Sequence, residues 1–398
     1  MKVSPQSPNP SRWQVSLFGM VLSLPILNAC TPPADPKPAL TTEHIAKVLP
    51  ERKQDKSSWA TDIAKVFDEL KIDKTAQNIC TAVAIIDQES NFAADPAVPN
   101  LGATSLKALE DKLDDKLGKT LASLFKQMLA TRPTTDNSFE RQIKAVKTER
   151  ELDELYRQMF EYFATNYKMA MLTNTAKTLG QGIDERLNPI TTLGSMQVHI
   201  DYAKRYRRAN MNNDELRADL YSQYGGLYYG IHRLMVYQAE YDKPIYRFAD
   251  YNSGMYSSRN AAVQAQIAKL TGRTLTLDGD LLLYAGGSVK SESSQTEQAI
   301  VSLLPRLTQD GKPLTATQVR KDLKKEKRAD FELTATYKAI KELYVRTTNT
   351  TPVYATMPKV AISSPKLSKD YDTNWFASNV NKRYERCMGL ARKYEQAK

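Results

Sequence analysis

The sequence predicts a mainly α-helical protein, and three features of its patterning carry that prediction. Apolar residues recur at steps of three and four through most of the chain, strand-like alternation is confined to one short stretch, and Pro- and Gly-containing breakers separate the periodic segments. With 398 residues and 41% hydrophobic content, the chain can bury one large core or two ordinary ones and is not of the disordered type.

The first 29 residues set the compartment. Lys2 and Arg12 form a basic leader, residues 15–27 are an apolar run too short to span a bilayer, and Leu27-Asn28-Ala29-Cys30 ends it with small residues before a cysteine. This resembles a bacterial lipoprotein signal peptide, whose final cysteine is acylated and becomes the new N-terminus. The resemblance implies a lipid anchor on Cys30. Thr31 follows it where an Asp would retain the protein, so the expected location is the periplasmic side of the Gram-negative outer membrane. An ordinary secretory signal is the alternative.

Of the formal charge of +11, the leader carries two positive charges and no negative ones, which leaves +9. That balance favours anionic surroundings, and export disfavours nucleic acid as a partner. The basic runs at 204–208 and 320–328 read as solvated helix faces. Cys80 and Cys387 are the only other cysteines, and an oxidising periplasm makes them a candidate disulfide that would tie the C-terminal helix back to the helix that ends at Glu89. Their spacing says nothing about their distance.

Taken in order, residues 30–56 read as a Pro-rich tether. Trp59, Ile63, Val66, Phe67 and Leu70 share one helix face. Residues 75–92 form a second, apolar helix: Ile79, Val83 and Ile86 make its stripe, and small residues lie between them. Glu89 lies at its end, where lost hydration raises a carboxyl pKa toward that of a general acid. Taken alone, Glu89-Ser90 favours an ordinary solvent-facing helix end. Two prolines and Gly102 then make a loop. Residues 106–190 are a long helical stretch, broken near Pro133. A Pro- and Gly-containing loop precedes a helix near Asp201, and 214–241 reads as one strong helix whose Gly225, Gly226 and Gly230 admit a neighbouring helix. The only hairpin is expected at 275–284, turning at Asp278-Gly279. Helical patterns return at 297–307, 316–327 and 331–345, residues 347–369 are extended, and 375–394 is a last amphipathic helix.

Three separated segments now bear on function. Gln88-Glu89-Ser90-Asn91-Phe92, Gly194-Ser195-Met196-Gln197-Val198 and Ala249-Asp250-Tyr251-Asn252-Ser253-Gly254 resemble, in order, the signature motifs of soluble lytic transglycosylases, which run E-S with a following F, G-L-M-Q and A-Y-N-A-G. The C-terminal segment, with Arg383-Tyr384-Glu385-Arg386-Cys387, is similar to an uncharacterised family of Gram-negative lipoproteins. The resemblance implies a lysozyme-like transglycosylase domain over 57–300, a large helical insertion at 106–190 and a helical C-terminal extension at 301–398. It implies peptidoglycan glycan strands as substrate, no cofactor and no metal. Glu89 is implied as sole catalytic acid and base, Ser90 as its hydrogen-bonding neighbour, Met196 and Gln197 as groove lining, and Tyr251 and Asn252 as the groups that hold the sugar.

The departures are specific. The insertion separates the first two motifs, Ser195 stands where the family has Leu, and Asp250 and Ser253 replace alanines. Most glycosidases pair two carboxylates. Asp87 points away from Glu89 on a helix, and Asp95, Asp201 and Asp250 remain as alternatives, each with a structural reading. A non-catalytic murein-binding scaffold and a hydrolytic muramidase are the competing functions. His44, His199 and His232 are too few and too scattered for a zinc site. Ser363-Ser364-Pro365-Lys366 fits S-x-x-K but has no partner motif.

Overall fold

The structure is a computed structural model that describes residues 38–51, 55–167, 188, 190–285, 287–362 and 371–395. The leader with Cys30, and Ser363 to Lys366, lie outside these residues. From residue 38 onward the chain forms one compact unit with two hydrophobic cores.

The first core begins earlier than expected. Helix α1 (Thr42–Val48) lies inside the stretch read as a tether, and Leu40, Ile45, Val48 and Leu49 are fully buried. Four buried aliphatic side chains contribute roughly 1.5–3 kcal/mol each, which is why the segment folds despite its prolines. Helix α2 (Lys56–Glu69) follows with its N-cap on Asp55, and α3 (Ala76–Glu89) begins at Thr75, whose hydroxyl accepts from the Asn78 amide. Nearly every α3 side chain from Ala76 to Asp87 is buried, because the helix is surrounded on several sides.

The expected insertion is mainly helical where described. Helix α4 (Leu101–Thr131) is interrupted at Gly118, and α5 (Phe139–Ala145) and α6 (Glu149–Asn166) follow. A complete capping box starts α6, with Thr148 and Glu151 satisfying each other's backbone amides. Asp153 of α6 is wholly buried and holds Arg217 and Asn188 at 2.5 Å, which fastens the insertion to the rest of the core.

Residues 214–241 are not one helix. They divide into α8 (Asn213–Leu220) and α9 (Gln223–Ile231), the latter running into a π turn (His232–Val236); α7 (Ile200–Arg205) precedes them. Ser222 ends the first segment by capping the second, accepting from the Gly225 amide. Helices α10 (Ile245–Ser253) and α11 (Ser257–Thr271) follow.

The second core is built from α11, α12 (Gln295–Ser302), α13 (Ala316–Leu323) and α14 (Ala335–Thr348). Its buried residues run from Val263 to Leu343, so the expected boundary near residue 300 falls inside a core. The last helix, α15 (Thr373–Glu395), returns to the first core and packs chiefly on α3 and α10. Cys80 of α3 and Cys387 of α15 are bonded, with Cα atoms 5.5 Å apart.

The single expected hairpin is replaced by four two-residue ones among the described residues: β1–β2 (Thr192–Leu193, Val198–His199), β3–β4 (Tyr284–Ala285, Ser288–Val289), β5–β6 (Thr308–Gln309, Lys312–Pro313) and β7–β8 (Ala361–Ile362, Tyr371–Asp372). Asp278-Gly279 is not a hairpin turn. The buried Gln264 takes hold of it, donating to Asp278 and accepting from the Gly279 amide, so this segment bonds to a helix instead of a second strand.

Candidate active site

Glu89 is the last residue of α3 and is half-buried. The helix stops because Asn91 and Phe92 adopt left-handed backbone, with φ of 53° and 59°, a conformation costly to side chains other than glycine. Burial holds Phe92 there, its ring edge-on to Trp59 at 5.2 Å. The chain therefore turns away at once and leaves Glu89 at the edge of the core. Burial pushes its carboxyl up to about 7; Arg233 opposes the rise and Glu149 adds to it.

The Gly194-to-Gln197 segment is the turn of β1–β2. The Gln197 amide donates to the Gly194 carbonyl at 3.0 Å, and both residues have positive φ. Two of the glycines of α9 admit this turn: a Cβ at Gly230 would lie 2.2 Å from the Met196 sulfur, and one at Gly226 2.9 Å from the Ser195 hydroxyl, while Gly225 packs against Asp219 of the preceding helix α8. Met196 is consequently fully buried, a core residue and not a groove wall. The Gln197 side chain donates to Glu149 at 3.1 Å and accepts from the Thr192 hydroxyl at 3.0 Å.

The third segment meets the second directly. The Tyr251 hydroxyl donates to the Met196 carbonyl at 2.7 Å, and Arg233 lies 4.2 Å above the Tyr251 ring while donating to its carbonyl. Glu89 and Arg233 are both within electrostatic reach of Tyr251. Glu89, Gln197, Met196 and Tyr251 thus come together through Arg233 and Glu149. Tyr251 is 6% exposed and works here as a strut, not as an open platform for a sugar.

Two expected residues face elsewhere. The Ser90 hydroxyl donates to the Ile86 carbonyl within its own helix, and the Asn252 carboxamide accepts from Thr373 at the start of α15. Of the carboxylates weighed beside Glu89, Asp87 forms an ion pair with Arg383 of α15 at 3.2 Å, which puts it on the far side of α3. Asp250 is buried beneath Tyr237, Tyr241, Ser257 and the amides of Tyr256 and Ser258, joining α10 to α11. Asp201 lies near His199 and Lys204 with most of its side chain in solvent. Burial pushes the Asp95 carboxyl up, opposed first by a hydrogen bond with Thr148.

Glu149 and Arg233 are the residues that pattern reading missed. Glu149 hides in the sequence Thr148-Glu149-Arg150-Glu151, where Glu151 carries the capping signal. The signal that could have found Arg233 is its place as the one Lys or Arg in residues 225–237. No group of three or more His, Cys, Asp or Glu among the described residues could hold a metal ion.

The fold and site define a mainly helical protein with a carboxyl of raised pKa at the end of a largely buried helix. The chain belongs to the family described as "Protein of unknown function (DUF1615)", which matches residues 52–390. It is similar to "Uncharacterized protein YaiW" of Escherichia coli (strain K12), at 31% identity over 346 residues, 86% of this chain and 88% of that protein. No solved structure matches it.

Proposed function

We propose that the protein is a peptidoglycan lytic transglycosylase of lysozyme-like architecture, anchored through Cys30 to the inner face of the outer membrane, with Glu89 as acid and base. The observation that carries this reading is the convergence of three segments, successive ones 105 and 55 residues apart, on one carboxyl raised to about 7. A carboxyl of that pKa is divided between its two forms near neutral pH, as a group that gives and then takes a proton must be.

In the proposed reaction Glu89 donates its proton to O4, the oxygen bridging N-acetylmuramic acid C1 and N-acetylglucosamine C4. The C1–O4 bond breaks, and the leaving sugar departs with a free hydroxyl. The muramoyl O6 hydroxyl attacks C1, and its proton passes to the Glu89 carboxylate. A C1–O6 bond has replaced C1–O4, the acid is restored, and no water is consumed.

One observation favours a second reading. Glu149 supplies the second carboxylate that a hydrolytic muramidase requires. Turnover in 18O-labelled water separates the two. Unlabelled 1,6-anhydro ends support the transglycosylase, and labelled reducing ends support the muramidase. A murein-binding scaffold is the outcome if neither product forms.

A further inference from the structure

Helix α15 buries one face against α3 and α10 and leaves the opposite face open. On that open face Trp375, Lys382, Arg386 and Lys393 follow one another at steps of seven, four and seven residues. The helix period places them in one stripe about 27 Å long. All four are exposed, and the Trp375 ring, 36% exposed, lies 4.1 Å from that of Tyr371. Lys382, Arg386 and Lys393 make no ion pair among the described residues, whereas Arg383, turned toward α3, is taken by Asp87. Glu385 is the one acid between Trp375 and Lys393, and the helix period sets it beside the stripe, on the side of Arg392. A helix that is basic along its open face and carries a tryptophan at one end suits an anionic lipid surface. The indole sits at headgroup level, and Lys and Arg meet phosphate. The other end of α15 lies where the chain leaves for Cys30. His44 of α1 stacks on Tyr394 at 4.4 Å, and the eight residue steps from Cys30 to Pro38 span at most roughly 30 Å.

We propose that α15 docks through this stripe on the anionic phospholipid headgroups of the leaflet that holds the Cys30 anchor. The inference rests on the lipoprotein reading and adds an orientation to it. A tether this short keeps the stripe close to the lipid surface, so contacts that are weak one by one act at high effective concentration. The acyl chains hold the protein to the membrane, and the stripe decides which side faces it. Helix α15 lies against α3 on the side of Asp87, which pairs with Arg383 at 3.2 Å; Glu89, two residues further along α3, points to nearly the opposite side. The docked protein therefore turns Glu89 away from the bilayer and toward the murein that the proposed reaction needs.

The test is co-sedimentation of the protein beginning after Cys30, at low salt, with vesicles of phosphatidylcholine alone or with phosphatidylglycerol added. Partition into the anionic vesicles is expected to be stronger by on the order of a hundredfold, as three Lys or Arg near an anionic surface imply. Trp375 emission is expected to shift to the blue on binding, a shift absent from Trp375→Phe. The combined variant Lys382→Glu, Arg386→Glu, Lys393→Glu is expected to lose the preference. The combined variant Lys312→Glu, Lys321→Glu, Lys324→Glu makes the same charge change on exposed lysines around the second core and is expected to keep most of it. Equal partition into both kinds of vesicle overturns the proposal. An equal loss in the two triple variants also overturns it, because the attraction would then be one of net charge alone. The mass of the mature chain tests the anchor separately. A chain without acyl groups on Cys30 would reject the anchor and leave the docking surface standing, and an acylated chain whose soluble form shows no anionic preference would do the reverse.

Discussion

Replacing Glu89 by Gln is expected to stabilise the protein at neutral and alkaline pH and to leave it unchanged in acid. Folding raises the carboxyl from the ordinary 4.5 to about 7, chiefly through burial. At about 1.36 kcal/mol per unit this amounts to about 3 kcal/mol. Between these values the folded chain binds a proton that the unfolded chain has released, so stability falls as pH rises. The contribution of the protonated carboxyl is fully present below pH 4.5 and lost once pH passes about 7. Glutamine has no such proton to lose. Urea unfolding of both proteins from pH 4 to 8.5, expressed as variant minus wild type, should rise by about 3 kcal/mol across that window and level off on both sides. The subtraction matters because Glu326 in the second core is also raised to about 7 by burial. A flat difference curve would refute the claim that the fold holds Glu89 in a desolvated place.

Other perturbations test the supports of the site. Glu149→Gln removes one of the influences that raise Glu89, so the midpoint of the same difference curve should move to lower pH; an unmoved midpoint would separate the two residues. Gly230→Ala puts a methyl group into the Met196 side chain and should cost about 1–3 kcal/mol, with the loss visible in thermal unfolding. Arg217→Met leaves the buried Asp153 with only the longer Arg157 pair, at 3.6 Å, and should cost about 3 kcal/mol, read as a lower urea midpoint. Reducing the Cys80–Cys387 bond releases a loop closed over 307 residues of sequence and should cost about 2–5 kcal/mol, measured by unfolding with and without reductant.

Helix existence was legible wherever apolar spacing was strong, as in α2, α3 and α15, because burial of one face is what makes those segments helical. Boundaries were less so. Ser222 divides the stretch that patterning shows as one helix, and only its capping bond to Gly225 reveals the break. The glycines of α9 signal a close approach, but sequence does not say what approaches, and the structure seats the Met196 turn there. Leu40 and Ile45 were obscured by flanking prolines and charges, although their burial is complete.

At the site, Glu89 was legible through the three segments taken together, because an acidic residue at a helix end reads by itself as an ordinary surface residue. The expected roles of Ser90, Met196 and Asn252 were not met in detail. Their side chains complete local hydrogen bonds or fill the core, and such partners lie distant in sequence. Glu149 is the instructive omission. It lies 60 residues from Glu89 in a segment with the pattern of an insertion, and only the docking of α6 through Asp153 brings it near.

The most direct test of the central claim is mass spectrometry of muropeptides released from purified murein by the protein beginning after Cys30, beside its Glu89→Gln variant. The account predicts 1,6-anhydromuropeptides from the wild type and none from the variant. Reducing-end products that disappear with the variant would keep Glu89 as the acid but contradict the transglycosylase. No release by either protein, with murein still bound, would contradict the enzyme itself.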